Sequence, residues 1–456
     1  MGAFSARLAE LRDRGLHRRT RLISGPQGPH VVVDGRPALL LCSNNYLGLA
    51  DHPRVRNAAA DAAMRWGVSA GASRLVSGTM TVHRRLEERV AEFKGKQSAL
   101  LFGSGYLANT GVIAAMSEAG GLVCSDELNH ASLIDGCRLS HAETFIYRHG
   151  DVEHLAWGLA KARGKQALIV TDSVFSMDGD IAPLEGIVEV AREFGARIVV
   201  DEAHGTGVVG PGGRGAVAAA GLTDEIDVII GTLGKALGSY GAYVACDATI
   251  AEWLVNRART VIFSTAPAPP ATAAALEALK LLEQEPRLVD RLAANSRVLR
   301  GALRQEGFDI EDQPTPIIPL VLGSAESAVS LCEESLREGV FAQAIRPPTV
   351  PEGTSRLRLS VMATHRQTEL RDAAATIARS CERIGLRAAA PEERHAFTEE
   401  ASPGRVTEPV SVTEALRRRG FIPGDGPLPI RVRRKGRGPA PFDFEADGSS
   451  DIDRAA

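Results

Sequence analysis

The first sustained apolar pattern is VVVDGRPALLLCS (Val31–Ser43), two apolar runs around Asp34-Gly35. That dipeptide supplies the positive φ angles of a tight two-residue turn, so the stretch predicts a β-hairpin. Further on, short apolar runs alternate with longer amphipathic ones. Strands are predicted at SALLF (Ser98–Phe102), GLVCS (Gly121–Ser125), ETFIY (Glu143–Tyr147), ALIVTD (Ala167–Asp172), RIVVD (Arg197–Asp201), DVIIG (Asp227–Gly231) and AYVAC (Ala242–Cys246). Several are apolar on consecutive positions, as expected of strands covered on both faces by helices. Between strands, VHRRLEERVAEF and PLEGIVEVAREFG carry helical spacing, and the second opens at Pro183 and stops at Gly195. Repeated strand–helix units predict an α/β fold with a mostly parallel sheet over residues 98–246.

Two long helical stretches follow, ATAAALEALKLLEQ and RLVDRLAANSRVLRGALRQEG, then strands near IIPLVL and RLRLSV and a last helix near Gln367–Gly385. This predicts a second, smaller α+β domain. The expected divisions are 1–44 (N-terminal helix and hairpin), 45–285 (large domain), 286–390 (small domain) and 391–456. The last 66 residues hold eight of the 24 prolines, and Arg417–Arg437 carries eight basic residues against one acidic. With so little apolar periodicity, a disordered extension is expected.

Composition adds exclusions. At 44% hydrophobic and 24% charged, the chain has the make-up of a folded protein of two or three domains. Lys plus Arg number 53 and Asp plus Glu 56, a net charge of −3 that gives no reason to expect nucleic acid as a partner. No apolar run reaches the roughly 18 residues that span a bilayer. The opening SARLAELRDRGLHRRTR reads as a short basic amphipathic helix rather than a signal or transit peptide. The six cysteines are scattered without a CxxC pair, so free thiols in a reducing cytoplasm are expected, and no metal-ligand spacing such as HExxH occurs.

The chemistry concentrates at two strand ends. RIVVDEAHGTG places Asp201 and His204 where an apolar strand runs out, and GTLGKALGSYG places Lys235 in a glycine-flanked loop 34 residues after Asp201. Ligands of open α/β sheets gather at the carboxyl ends of strands. A carboxylate, an imidazole and an amine there suit pyridoxal phosphate, whose aldehyde takes a lysine and whose ring nitrogen is held protonated by an acid. Either fragment alone is weak, since a lysine between glycines is often only a surface loop residue.

Many separate motifs, in collinear order over about residues 5–385, change that reading. SNNYLGL (Ser43–Leu49), GASRLVSGT, LFGSGYLAN, SDELNHASLIDG, RHGDVEHL, DSVFSMDGDIAPL, DEAHGTGVVGPGGRG, TLGKALGSYGAYV, RTVIFSTAPAPP and RLRLSVMATH (Arg356–His365) together resemble the α-oxoamine synthases. The resemblance implies fold type I of the pyridoxal-phosphate transferases (aspartate-aminotransferase-like), with a mostly parallel seven-stranded sheet in the large domain. It implies Lys235 as the Schiff-base and acid/base residue, Asp201 as partner of the pyridinium, and His130 stacked on the cofactor ring. It further implies Ser176 and His204 near the phenolic oxygen, and Gly105, Tyr106 and Thr232 at the phosphate. Ser264 and Thr265 would reach the phosphate in a neighbouring subunit, through the shared sites of a homodimer. Arg358 would grip the amino-acid carboxylate, with Arg356 as competitor, Thr349 would touch substrate, and Arg18 or Arg19 would meet the acyl chain's distal carboxylate.

Alanine before His204, RHGDVEHL and IRPPTVPEGTSRLR look most like the branch that joins L-alanine to a pimeloyl thioester, carried by coenzyme A or acyl carrier protein, in biotin assembly. Rivals are a sister enzyme using glycine or serine with another acyl thioester, and a non-catalytic subunit, against which Lys235 speaks. SNNYLGL departs from the SNDYLGL common in that branch at Asn45. Because the motifs end at His365, a chain truncated after about residue 390 should keep cofactor binding and kcat; precipitation or loss of most turnover would show that the tail packs on the folded body.

Overall fold

The computed structural model describes residues 2–162 and 164–386, so the predicted extension at 391–456 lies outside the described residues. The N-terminal helix α1 (Gly2–Asp13) ends before the His17–Arg21 run, which is not helical. Phe4, Leu8 and Leu11 on α1 are exposed rather than packed. No helix among the described residues is long and apolar enough to cross a membrane.

A short strand β1 (Ile23–Ser24) pairs antiparallel with β2 (His30–Val33), and β2 with β3 (Arg36–Leu40). Asp34 and Gly35 make the turn with φ 49° and 82°, the positive angles that a two-residue turn demands. Two helices follow, α2 (Pro53–Trp66) and α3 (Thr81–Lys94).

The central sheet is built from β4 (Ser98–Phe102), β5 (Leu122–Asp126), β6 (Glu143–Tyr147), β7 (Ala167–Asp172), β8 (Arg197–Asp201), β9 (Val228–Thr232) and β10 (Ala242–Cys246). Its order is β4-β10-β9-β8-β7-β5-β6. Strands β5 to β9 pair in parallel, whereas β10 runs antiparallel to both neighbours. The reason is the connection: residues 233–241 join β9 to β10 without a crossover helix, and so short a link can only return antiparallel. Lys235 lies in that link, at the edge where the parallel strands end.

Alternate residues of each strand enter separate cores. Ile169, Ile198, Val200, Ile229 and Ala245 pack on one face, with the helix Leu184–Phe194. Val170, Val199, Ile230 and Val244 pack on the other, with α4 (Gly105–Met116), α5 (Ala131–Leu139) and Leu254 of a later helix. Two covered faces are why the strands read as unbroken apolar runs, each buried Val, Leu or Ile contributing about 1.5–3 kcal/mol.

The C-terminal part contains β11 (Ile317–Gly323), β12 (Val340–Phe341), β13 (Gln343–Ile345) and β14 (Ser355–Ser360). Strands β11, β14 and β13 form an antiparallel sheet that carries Arg356 and Arg358. β12 pairs in parallel with β3, tying the N-terminal hairpin to this part. All six cysteines are free thiols.

Candidate active site

Lys235 is half-buried, and its Nζ lies 2.8 Å from His204 Nε2. Burial lowers the amine's pKa to about 8, the carboxylates of Asp201 and Asp172 oppose that, and the Arg358 guanidinium adds to it. The His204 pKa is pushed well below the usual range by burial, then by Lys235, Arg358 and His130, so its imidazole is neutral at pH 7.

Asp201 ends β8 and is buried. Its Oδ2 accepts from Asn109 Nδ2 on α4 at 2.6 Å, and its Oδ1 from the Ala203 N–H at 2.7 Å. Asn109 also donates to Ser132 Oγ at 2.8 Å. His130 caps α5, its Nδ1 accepting from the Ser132 N–H at 3.2 Å and lying 2.7 Å from Ser132 Oγ. With Nδ1 an acceptor, the neutral ring carries its proton on Nε2. Burial lowers the His130 pKa, against the pull of Asp201. The His130 N–H donates to Asp172 Oδ2 at 2.7 Å.

Gly105 and Tyr106 open α4 behind Ser104, whose side chain accepts from the Leu107 N–H. A Cβ on Gly105 would stand 2.7 Å from Thr232 Cγ2, so the glycine lets the helix start lie against the end of β9. Thr232 Oγ1 is buried and has no hydrogen-bond partner among the described residues. Tyr106 is exposed and donates from its hydroxyl to Asp135.

Arg358 is buried, donating from Nε to the Ser176 carbonyl, from Nη1 to Asn44 Oδ1 at 3.2 Å and from Nη2 to Tyr46 Oη at 3.1 Å. These bonds use three of the five guanidinium N–H groups and leave two. Arg356, its competitor from the sequence, is pinned instead to Asp178 and to the Met177 and Thr354 carbonyls. Tyr46 Oη is also 2.7 Å from His204 Nδ1, so one phenol joins the Arg358 and Lys235 neighbourhoods. Ser176 takes part through its carbonyl.

The remaining positions scatter. Thr349 is exposed two positions after Pro347, whose carbonyl accepts from Arg18 Nη2 at 3.0 Å. Arg19 lies on Glu333 instead, at 3.3 Å. Ser264 and Thr265 sit in a loop bridged to Ser73, and no hydrogen bond among the described residues links them to Lys235, Thr232 or the α4 start. Asn45 Nδ2 donates to the Gln27 carbonyl at 2.9 Å and its Oδ1 accepts from the Ala50 N–H, so its departure from the common motif falls on a loop contact.

Sequence reasoning missed Tyr46, Asn44, Asn109 and Asp172. Asn44 and Tyr46 lie within SNNYLGL and Asn109 ends LFGSGYLAN, yet those motifs give them no role, whereas Asp172 carries a direct signal, since ALIVTD ends in an acid just as RIVVD does.

The family model described as aminotransferase class I and II matches residues 36–377. An 8-amino-7-oxononanoate synthase of Geobacter sulfurreducens is 50% identical over 387 residues, covering 84% of this chain and 99% of its own. One of Citrifermentans bemidjiense is 49% identical over 389 residues, covering 85% and 100%. Among solved structures, S. paucimobilis serine palmitoyltransferase with a bound pyridoxal-phosphate–myriocin adduct superposes with TM-score 0.80 at 31% identity, covering 84% of this chain and 98% of that one. The Francisella tularensis 8-amino-7-oxononanoate synthase gives TM-score 0.66 at 25% identity, covering 76% and 99%.

An amine whose pKa is about 8 should react with an added aldehyde at a rate that rises with pH and levels near 8 to 9. With pyridoxal phosphate as probe and borohydride to fix the product, peptide mapping should find the label on Lys235. A label on another lysine, or a rate still climbing towards pH 10.5, contradicts the assignment.

Proposed function

The chain belongs to the aminotransferase class I and II family, and from that premise we propose that it is a pyridoxal-phosphate-dependent acyltransferase condensing L-alanine with a pimeloyl thioester to 8-amino-7-oxononanoate, CO2 and free thiol, in biotin biosynthesis. The observation that carries this reading is identity near 50% along 99–100% of the length of curated 8-amino-7-oxononanoate synthases.

The residues present fit the cofactor. Thr232 Oγ1 is a buried hydroxyl without a hydrogen-bond partner among the described residues, at a helix N-terminus kept open by Gly105, which is how a phosphate is received. When bound, pyridoxal phosphate supplies an aldehyde for an amine and a protonated ring that draws electrons from the amino acid's α-carbon. Asp201, oriented by Asn109 and the Ala203 N–H, keeps that ring nitrogen protonated. His130, fixed by Ser132, covers the ring. His204 stays neutral and holds a hydrogen bond at Lys235, and Ser176 lends its carbonyl to Arg358. Lys235, with its lowered pKa, releases and takes back the proton at Cα near neutral pH.

Arg358 offers its two remaining N–H groups to the alanine carboxylate as a bidentate pair. Arg18, held at the Pro347 carbonyl two positions before Thr349, is the cation for the acyl chain's far carboxylate, while Arg19 is occupied by Glu333. The reading includes a homodimer in which Ser264 and Thr265 serve the neighbouring site. In its support, Leu75, Val76 and Phe263 are large apolar side chains left exposed around the Ser73–Thr265 bridge. Synthesis in the cytoplasm agrees with the free thiols.

One observation favours a second reading, a serine-using sister enzyme: the serine palmitoyltransferase superposes better than the Francisella synthase. Identity supports the first reading, because about half of the residues are shared with relatives named 8-amino-7-oxononanoate synthase and about a third with the serine palmitoyltransferase.

The purified protein should have a dimer's mass and, in a panel of amino acids and acyl thioesters, release CO2 and thiol from L-alanine with a pimeloyl thioester. One methyl group beside Cα discriminates by only about 10- to 200-fold, so alanine should exceed glycine and serine within that range. Preference for serine with a long uncharged acyl chain, or for glycine with an acetyl thioester, would move the chain to a sister activity.

A further inference from the structure

Three loops leave the carboxyl edge of the sheet side by side, and one imidazole joins them. His149, two residues beyond β6, has Nδ1 3.0 Å from Asp126 Oδ1 at the end of β5 and Nε2 2.9 Å from Asp180 Oδ2 beyond β7. An ionised carboxylate only accepts, so both ring nitrogens carry protons and the ring is an imidazolium. Burial works against that charge, but the hydrogen bonds to Asp126 and Asp180 outweigh it and raise the pKa to about 10. Phe175 packs on the ring edge, centroids 4.4 Å apart at 85°. The backbone is tied in as well: the His149 N–H donates to Glu127 Oε1 at 2.9 Å and the Gly150 N–H to Asp126 Oδ2 at 3.0 Å.

Both ends of this bridge lead to the site. Asp126 begins the segment that carries His130. Asp180 lies in the turn closed by Phe175 N–H to Asp180 O at 3.0 Å and Ala182 N–H to Ser173 O at 3.0 Å. That turn presents the Ser176 carbonyl to Arg358 Nε and Asp178 to Arg356. His149 is the one cation within ion-pair distance of either carboxylate among the described residues, and the other Asp180 oxygen is buried without a hydrogen bond.

We propose that His149 is a positioning residue: by clamping Asp126 to Asp180 it sets the 173–182 turn, and through the Ser176 carbonyl the seat that Arg358 offers the amino-acid carboxylate. The inference rests on the reading of Arg358 given above. It concerns binding of the amino acid more than the proton transfer at Lys235.

The test uses the cofactor-loaded enzyme and two variants, His149→Gln and Asp180→Ala. L-Alanine is titrated without acyl thioester and followed by the change in cofactor absorbance, beside KM and kcat for the full reaction. Both variants should raise the alanine Kd and KM by about 10-fold, the scale of a lost hydrogen bond to a charged group. Values of kcat should stay within about threefold, and the double variant should be no worse than the weaker single, as expected for one shared contact. A lowered Tm with unchanged alanine Kd overturns the proposal and leaves His149 a purely structural bridge. If His149→Gln does not fold, Asp180→Ala decides by the same reading, its side chain being at a partly exposed site. If the wild-type cofactor spectrum ignores alanine, the reading of Arg358 fails and the proposal with it.

Discussion

Three neighbouring strands, β5, β7 and β8, each end in an aspartate, and Asp126, Asp172 and Asp201 are only 2%, 3% and 4% exposed. A row of buried carboxylates is the constraint on which the site depends, because an unpaired buried charge is too costly to persist. Each of the three is answered differently. Asp126 is paired with the His149 imidazolium and two backbone N–H groups. Asp172 stands in register with Asp201, and burial together with that neighbour's charge drives its pKa well above the usual range. Asp201 keeps neutral donors, Asn109 and the Ala203 N–H, and no cation among the described residues is hydrogen-bonded to it. Among the described residues neither Asp172 nor Asp201 is ion-paired with a fixed cation, and of the two it is Asp201, held by Asn109 and the Ala203 N–H, that is placed for a cationic ring nitrogen.

The same electrostatics shape the amine. Lys235 sits where burial and Arg358 disfavour its charge while Asp201 and Asp172 favour it, and the balance falls at a pKa of about 8. His204 cannot share the positive charge, so it remains an acceptor or a neutral donor. Tyr46 connects this pair to Arg358, and since Arg358 comes from β14 and Tyr46 from the chain beyond the N-terminal hairpin, the site needs distant parts of the chain to be packed together. The parallel β3–β12 pairing holds those parts in place.

The α/β architecture was legible because both faces of the central sheet are covered, which writes consecutive apolar residues into each strand. Asp201, His204 and Lys235 were legible because each follows such a run. Tyr46 and Asn44 were not, since their roles arise from contacts more than 150 positions away. Residue spacing alone could not choose between Arg356 and Arg358, which lie on one face of β14; the resemblance favours Arg358, and the placement of Asp178 holds Arg356 elsewhere. The basic amphipathic pattern predicts a helix through the His17–Arg21 run, but that run is not helical, and its His17 carbonyl accepts from Arg346 instead. Arg18 and Arg19 are adjacent in sequence, and their partners, Pro347 and Glu333, belong to a region that periodicity could not bring near them.

The central claim is that the ionised side chain of Asp201 is what the surrounding network keeps available. The most direct measurement is kcat of Asp201→Asn after loading with pyridoxal phosphate, with Tm and cofactor content measured on the same sample. Asparagine nearly preserves shape and can still accept one of the two hydrogen bonds, so the variant should fold and carry cofactor on Lys235. Without the charge, kcat should fall by at least about 100-fold, the scale of removing one preorganised electrostatic contact from a reacting centre. A loaded, folded Asp201→Asn protein with kcat within a few-fold of the wild type would contradict the account.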